Sequence, residues 1–277
     1  MLGKLIKYDF LADYKRYGIV FVAMFMFSIL LAVLDRLTDM FKENRFFEIM
    51  MMICLILFVA AFIVMFTMIM VIATIRFYKN LVRDEGYLMH TLPIPTWQLI
   101  TAKFITMYIW SALAVIVAGI CFGIVSGEPL WLFKIDIGWE ALSSAFVEDT
   151  VNGTPEQLRN LFLVCGVVMV LSPGFMMLHI YMSLALGNLF NVHKLGMSVL
   201  MFFALYIGEQ LLSGVAMMFM SADMVSYMMD MEAQVEFTVG YEYMMTSLIF
   251  SIVYTVVLMV GFFIGSERIF SKKLNLE

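Results

Sequence analysis

The stretch Ile49–Ile75, IMMMICLILFVAAFIVMFTMIMVIATI, runs for 27 residues without an Asp, Glu, Lys or Arg. A helix rises 1.5 Å per residue, so about 20 apolar residues are enough to cross roughly 30 Å of hydrocarbon. The stretch is therefore predicted to be a membrane-spanning helix, and the fold of the chain depends on how often this pattern returns.

The uncharged pattern returns in five other stretches, of which the last holds a single charge, Glu209: Tyr17–Leu34, Phe104–Gly127, Asn160–Val192, Tyr243–Ser266 and Leu195–Ala222. Hydrophobic residues make up 63% of the chain and charged residues 14%, whereas a soluble domain has about a quarter charged residues. We expect an all-α integral membrane protein with one domain over residues 1–277. Its six transmembrane helices are predicted at about residues 17–34, 49–75, 101–125, 158–187, 195–220 and 244–266.

The N-terminal residues 2–16 predict an amphipathic helix that lies in the membrane interface before the first span. Its lysines fall mainly on one side, and apolar side chains recur at helical spacing on the other, at Leu2, Leu5, Ile6, Phe10 and Tyr14. The three cysteines stand singly inside predicted spans, at Cys54, Cys121 and Cys165. Disulfide frameworks and zinc sites need paired or clustered ligands, so we expect neither a disulfide nor a metal site.

Positive charge is concentrated in alternate connections between the predicted spans. Twelve of the 17 Lys and Arg residues lie in the N-terminus, residues 76–103, residues 193–194 and the tail after residue 266. Fifteen of the 22 acidic residues lie in residues 35–48, 128–159 and 223–242. Basic residues that flank spans stay in the cytoplasm. We therefore expect both termini in the cytoplasm and the three acidic connections outside.

The inner connection at residues 76–97 has a more regular pattern of apolar residues than a simple linker. Its apolar residues recur at helical spacing, at Phe77, Leu81, Leu88 and Leu92. This predicts an amphipathic cytoplasmic helix that is hinged at Gly86 and ended by Pro93 and Pro95. Thr96 is suited to cap the helix that follows. The segment is either an interfacial loop that lies on lipid or a docking element for a cytoplasmic partner.

The layout resembles the permeases of type-2 ATP-binding-cassette (ABC) exporters, which have a type V-like fold. Those permeases have an interfacial N-terminal helix, six spans, a coupling helix between spans two and three, and an external excursion between spans five and six. The likeness is concentrated in residues 76–103. There, Asp84-Glu85-Gly86, an apolar run and Leu92-Pro93 are similar to a pattern in permeases of Gram-positive anaerobes. The long connection between spans three and four departs from the family pattern.

The resemblance implies a subunit that is not an enzyme and is driven by a separate cytoplasmic ABC ATPase, which binds ATP and magnesium. The chain itself has no G-x-x-x-x-G-K-[ST] phosphate loop and is expected to bind no cofactor. The residues implied to meet the ATPase are Lys79, Arg83, Asp84, Glu85 and Gly86. The other implied partners are a second permease subunit, identical or different, and the lipid of a bacterial cytoplasmic membrane. No nucleic-acid partner is expected.

Two ionisable side chains within the predicted spans are candidates for a substrate cavity. Glu209 falls near the middle of span five, where an ionised acid costs about 2.5–3.5 kcal/mol, so it should face the bundle or a wet cavity. His179 lies in span four and is a conceivable partner for Glu209. Either residue could instead fix a contact between helices.

Three functions compete at this point. The first is an export permease that moves an amphipathic, peptide-like or drug-like substrate outward. The second is a self-sufficient ion- or proton-coupled carrier that uses Glu209 and His179. The third is a peptide-binding immunity membrane protein, whose acidic outer connections attract cationic peptides. An intramembrane enzyme is not expected, because the spans contain no Ser–His pair, no Asp pair and no H-E-x-x-H motif.

Overall fold

The computed structural model describes residues 2–40, 45–81, 95–125, 155–190, 193–230 and 237–272. Within these ranges all the regular structure is α-helical. The helices are α1 (Leu2–Met40), α2 (Arg45–Leu81), α3 (Thr96–Val125), α4 (Pro155–Gly187), α5 (Lys194–Asp230) and α6 (Phe237–Lys272).

All six helices are long and apolar enough to cross a membrane, which confirms the all-α membrane fold. They contain 30 to 39 residues and so measure about 45–58 Å at 1.5 Å per residue. Because hydrocarbon offers no partner for a free N–H or C=O group, a helix that bonds its own backbone is the form such a segment can take there. Each helix exceeds the roughly 30 Å of the hydrocarbon core.

The first helix differs from the predicted division into an interfacial helix and a span. Residues 2–40 form one unbroken helix, so the predicted boundary between residues 16 and 17 is not a helix end. The sequence explains this, since α1 has no proline and its glycines, Gly3 and Gly18, cost a helix only about 1 kcal/mol each. That residues 2–16 lie in the membrane interface stays a prediction.

Other helix ends also lie beyond the predicted spans. Helix α5 continues to Asp230 and α6 begins at Phe237, so most of the acidic, methionine-rich connection at residues 223–242, which is predicted to lie outside, is helical. No glycine or proline occurs between Gly214 and Gly240, and the sequence therefore lacks a stop signal there. Helix α4 begins at Pro155, three residues before the predicted start of the fourth span, and proline is favoured in the first turn of a helix.

The chain divides into two compact units, of which the first comprises residues 1–76 and 97–140. Its core is a seam of side chains spaced four or seven residues apart on each helix, the spacing of one helical face. The seam consists of Tyr17, Met24 and Leu31 of α1, Phe58, Met65 and Ile69 of α2, and Trp110, Ala114 and Cys121 of α3. The three helices thus bury one continuous apolar stripe between them.

Trp110 is the centre of the aromatic packing in the first unit. The Phe10 ring is stacked on it, with centroids 4.5 Å apart and planes 9° apart. The Tyr17 ring lies at the same centroid distance, tilted by 35°. The Tyr17 hydroxyl donates a hydrogen bond to the Ile69 carbonyl oxygen at 3.4 Å, so one tyrosine joins α1 to both α2 and α3.

The second unit comprises residues 77–96 and 141–277, and α4 is its central helix. Helix α4 packs along both α5 and α6, which touch each other little. Tyr181 of α4 stacks on Phe77 with ring centroids 3.6 Å apart, and Phe270 of α6 meets Phe77 edge to face at 5.6 Å. Phe77, at the inner end of α2, is therefore part of this unit's core.

Helices α4 and α5 approach each other closely at Gly187, the last residue of α4, which has no room for a side chain. A Cβ atom at residue 187 would lie 2.5 Å from the backbone nitrogen and Cα of Ser198. The turn is closed by a hydrogen bond from the Asn188 N–H to the Leu184 carbonyl at 3.1 Å. Gly187 thus allows the two helices to approach backbone to backbone.

We expect Gly187→Ala to destabilise the second unit, because the added methyl group meets backbone atoms that cannot move alone. The expected loss is about 1–3 kcal/mol, as for other overpacked sites. Thermal unfolding of the detergent-solubilised chain measures it. Gly166→Ala on the same helix is the control, since nothing lies within 4 Å of its Cβ position. Equal melting temperatures of the two variants would contradict the close approach.

Candidate functional site

Of the residues predicted to meet the ATPase, Lys79 belongs to the part of the chain that the structure describes. Lys79 lies in the last turn of α2, so residues 76–81 are the end of the second span and not the start of a separate helix. Phe77 and its neighbours continue α2 because no helix-breaking residue precedes Gly86. Arg83, Asp84, Glu85 and Gly86, and with them the predicted hinge, lie outside the described residues.

A cluster of four charged side chains lies where α2 ends and α3 begins in the first unit. We call Asp9, Asp13, Arg76 and Lys103 the root cluster. Arg76 Nη2 is 3.1 Å from Asp9 Oδ1, and Arg76 Nη1 forms an ion pair with Asp13 Oδ2. The same Nη1 group donates a hydrogen bond to the Asp9 carbonyl oxygen at 2.7 Å. The guanidinium of Arg76 therefore holds two successive turns of α1.

Lys103 completes the root cluster from the third helix. Its Nζ atom lies 3.4 Å from Asp9 Oδ2 and 3.5 Å from Asp9 Oδ1. Asp9 is therefore shared, with Arg76 of α2 on one side and Lys103 of α3 on the other. Among the described residues the cluster joins two acids of α1 to one base of α2 and one of α3, so charges of opposite sign face each other where the three helices meet.

Burial makes these ion pairs stronger than ordinary surface pairs. Asp13 is only 4% exposed and Lys103 8% exposed. Exposed pairs contribute about 0–1 kcal/mol because water screens them. A partly desolvated pair attracts more strongly, and breaking it leaves a charge without compensation. Removing one member of the root cluster is therefore expected to cost more stability than breaking an exposed ion pair.

Sequence reasoning missed the root cluster, although part of the signal was present. Asp9 and Asp13 are four residues apart, which places them on one face of a helix. The N-terminal helix was interpreted from its apolar residues and lysines alone. Which of the acids on α1 meets which base on α2 or α3 depends on the packing of three helices, and that cannot be deduced from the spacing within one of them.

The structure brings the two candidate cavity residues, His179 and Glu209, together in the second unit. His179 Nδ1 of α4 lies 2.8 Å from Glu209 Oε1 of α5. His179 is 2% exposed and Glu209 8%. The pair joins facing helices in the way that polar side chains do in the low-dielectric interior of a membrane protein. A role for the pair in a substrate cavity stays a prediction.

The hydrogen bonds of His179 limit the possible positions of the protons in this pair. Its Nε2 atom is 3.1 Å from the Phe202 carbonyl oxygen, and because a carbonyl oxygen only accepts, Nε2 must carry a hydrogen. Nδ1 then shares one proton with the Glu209 carboxyl group. Either an imidazolium donates to a carboxylate or a neutral acid donates to a neutral imidazole. In both forms the pair is electrically neutral.

Aromatic rings and one hydroxyl group surround the His179–Glu209 pair. Phe202 and Phe262 lie with ring centroids 4.6 and 5.6 Å from that of His179. The Tyr254 hydroxyl of α6 donates a hydrogen bond to the backbone carbonyl of Glu209 at 3.0 Å. The polar pair is thus enclosed by apolar surfaces, and α6 is tied to the same position on α5.

We expect His179→Leu to destabilise the chain by about 3–5 kcal/mol, the usual cost of stranding one partner of a buried pair. The double variant His179→Leu/Glu209→Leu should recover most of that loss, because it strands nothing. Unfolding of the wild type, His179→Leu, Glu209→Leu and the double variant in mixed detergent micelles measures the four free energies of a double-mutant cycle. Gln210→Leu, at an exposed neighbour of Glu209, is the control. Additive effects of the two substitutions would show that the pair contributes no coupling.

Comparison with known proteins identifies the family. The family model described as "ABC-2 family transporter protein" matches residues 12–152, which is 141 of the 277 residues. The match includes α2, α3 and the inner connection between them, with Arg76 and Lys103. No curated protein and no solved structure matches the chain. The six membrane-spanning helices and this match show that the chain is a multi-pass membrane protein of the ABC-2 transporter family.

Proposed function

We propose that the chain is the transmembrane permease subunit of an ATP-driven exporter. The observation that carries the proposal is the ABC-2 family match, which spans the inner connection at residues 76–97. In such a complex the ATP is hydrolysed by a separate cytoplasmic ABC ATPase. The absence of a phosphate loop from this sequence is consistent with that division of labour.

In the proposed complex the ATPase docks on the segment between α2 and α3. Asp84 and Glu85 form the acidic tip that lies against it, and Lys79 and Arg83 contribute from the side nearer α2. Gly86 gives the segment its hinge, since glycine adopts backbone conformations that other residues avoid. Movement of the ATPase, driven by ATP, then moves the segment. The segment transmits this movement to the end of α2 and to the start of α3, which it connects.

The proposed cargo is an amphipathic, peptide-like or drug-like compound that moves outward between two permease subunits. The outer connections support a cationic amphipathic cargo, because residues 128–159 and 223–242 hold 11 acids and only two bases. Such a surface raises the local concentration of positively charged compounds. The same attraction is expected of a peptide-binding immunity protein, so transport has to be measured directly.

Affinity purification of the tagged chain from its native membrane should recover a cytoplasmic ATPase that carries a G-x-x-x-x-G-K-[ST] phosphate loop. Glu85→Arg should abolish the recovery, because it reverses the charge at the tip of the docking segment. Gly86→Pro should do the same by fixing the backbone at the hinge. Immunoblotting and mass spectrometry of the eluate, with membrane levels of each variant, provide the measurement.

Glu242→Arg is the matched control for this purification, because Glu242 is an exposed acid on the predicted outer side. It makes the same charge reversal and should retain the ATPase. If the wild-type chain recovers no ATPase, or if Glu242→Arg loses it as Glu85→Arg does, the docking proposal is wrong.

The proposed orientation places both termini in the cytoplasm. In a variant without Cys54, Cys121 and Cys165, cysteines introduced one at a time at Lys4 and Lys272 should react with a membrane-impermeant maleimide only after permeabilisation. Cysteines at Asp35 and Glu242 should react in intact cells. Mass shifts on gels report the labelling. Labelling of residue 4 in intact cells would reverse the orientation and remove the docking segment from the cytoplasm.

A further inference from the structure

We infer that Asp9 and Asp13 are positioning residues for energy coupling, because they hold α2 and α3 close to the ends that the docking segment connects. The inference rests on the proposed function, in which an ATPase acts on residues 76–97. It adds the N-terminal helix to the coupling apparatus and assigns that role to the root cluster of Asp9, Asp13, Arg76 and Lys103.

The path of the chain places the root cluster at both ends of the docking segment. The first unit ends at Arg76 and resumes at Trp97, so Arg76 is the last residue before the chain leaves it. Lys103 lies about two helical turns after the start of α3 at Thr96. The residues that pair with α1 are therefore Arg76, where the chain leaves the first unit, and Lys103, about two helical turns after α3 begins.

A segment can transmit a push only if its two ends resist it. Helix ends are the weakest parts of helices, because their last backbone groups lack partners within the helix. Helix α1 adds a side-chain restraint near both ends, at Arg76, five residues before the end of α2, and at Lys103, seven residues after the start of α3. Asp9 Oδ1 is 3.1 Å from Arg76 Nη2, and Asp9 Oδ2 is 3.4 Å from Lys103 Nζ. One carboxylate thus joins α2 and α3, each within about two helical turns of the segment, to the same turn of α1.

The two acids are not equivalent, and this gives the inference a specific signature. Asp9 touches both Arg76 and Lys103, whereas Asp13 pairs with Arg76. If holding both ends together is what matters, Asp9→Asn should impair coupling more than Asp13→Asn does. Arg76→Lys should impair it as well, because an ammonium group keeps the charge but cannot bond two acids and a carbonyl in the fork geometry of a guanidinium.

The test uses the chain in complex with the ATPase that it recovers, reconstituted in lipid nanodiscs. Two quantities are measured: the affinity of the ATPase for the permease, and the ATPase rate that depends on the permease. We expect Asp9→Asn to leave the affinity unchanged and to lower the permease-dependent rate about fivefold or more, within the usual range of coupling between sites. Asp35→Asn and Arg36→Gln, at the other end of α1, are the controls and should change neither quantity.

A reversible bridge separates positioning from folding. In a variant without native cysteines, Asp13→Cys/Arg76→Cys removes the ion pair, and a short bifunctional methanethiosulfonate reagent replaces it with a covalent link between α1 and α2. We expect the ATPase rate to be low before bridging, to rise on bridging and to fall again on reduction. Because the same protein sample is compared with itself, differences in folding or membrane insertion cannot produce this cycle.

The outcomes separate this inference from the proposed function. If the ATPase binds and all root-cluster variants keep the wild-type permease-dependent rate, or if bridging changes nothing, the positioning role is refuted and the docking proposal stands. If Asp9→Asn loses the ATPase altogether while the controls keep it, the cluster serves docking and the inference is again wrong. If the wild-type chain binds no ATPase, the proposed function fails first.

Discussion

The constraint on which the structure depends is that hydrocarbon offers neither hydrogen bonds to the backbone nor solvation to charge. Backbone groups are satisfied within six long helices, as this solvent demands. Among the described residues, buried ionisable side chains are paired across helices in two places. At the root cluster, two acids and two bases form ion pairs across α1, α2 and α3. In the second unit, His179 and Glu209 share a proton and form a neutral pair.

The two buried polar groups differ in what they hold. The His179–Glu209 pair joins α4 to α5 along the length of adjoining spans, and aromatic rings enclose it. The root cluster instead lies at the helix positions where the chain leaves and re-enters the first unit. A pair of the first kind fixes which helices are neighbours. The root cluster fixes the positions of α2 and α3 near the ends that the docking segment connects. A coupling mechanism requires such fixed positions.

Much of the fold could be predicted, because length and hydropathy are read directly from the chain. The six spans followed from the uncharged runs. Helix ends were less predictable. Residues 2–16 and the first span form one helix, because an amphipathic and a wholly apolar stretch follow each other without a stop signal, and the interfacial location of residues 2–16 stays a prediction. The possible pairing of His179 with Glu209 was foreseen, since few polar partners exist in the spans. The root cluster was not, because Asp9 meets residues 67 and 94 positions away.

Gly187 and Trp110 show how the two units achieve close packing by different means. Gly187 allows close packing because it has no side chain beside Ser198. Trp110 allows it because Phe10 and Tyr17 both pack against its large ring. The indole has a practical consequence. It lies against Phe10 and Tyr17, only one helical turn from Asp9 and Asp13 on α1. Separation of the N-terminal helix from its neighbours would remove both rings from this indole, so in a variant that keeps Trp110 as its one tryptophan, the fluorescence emission would report whether that helix is packed in place.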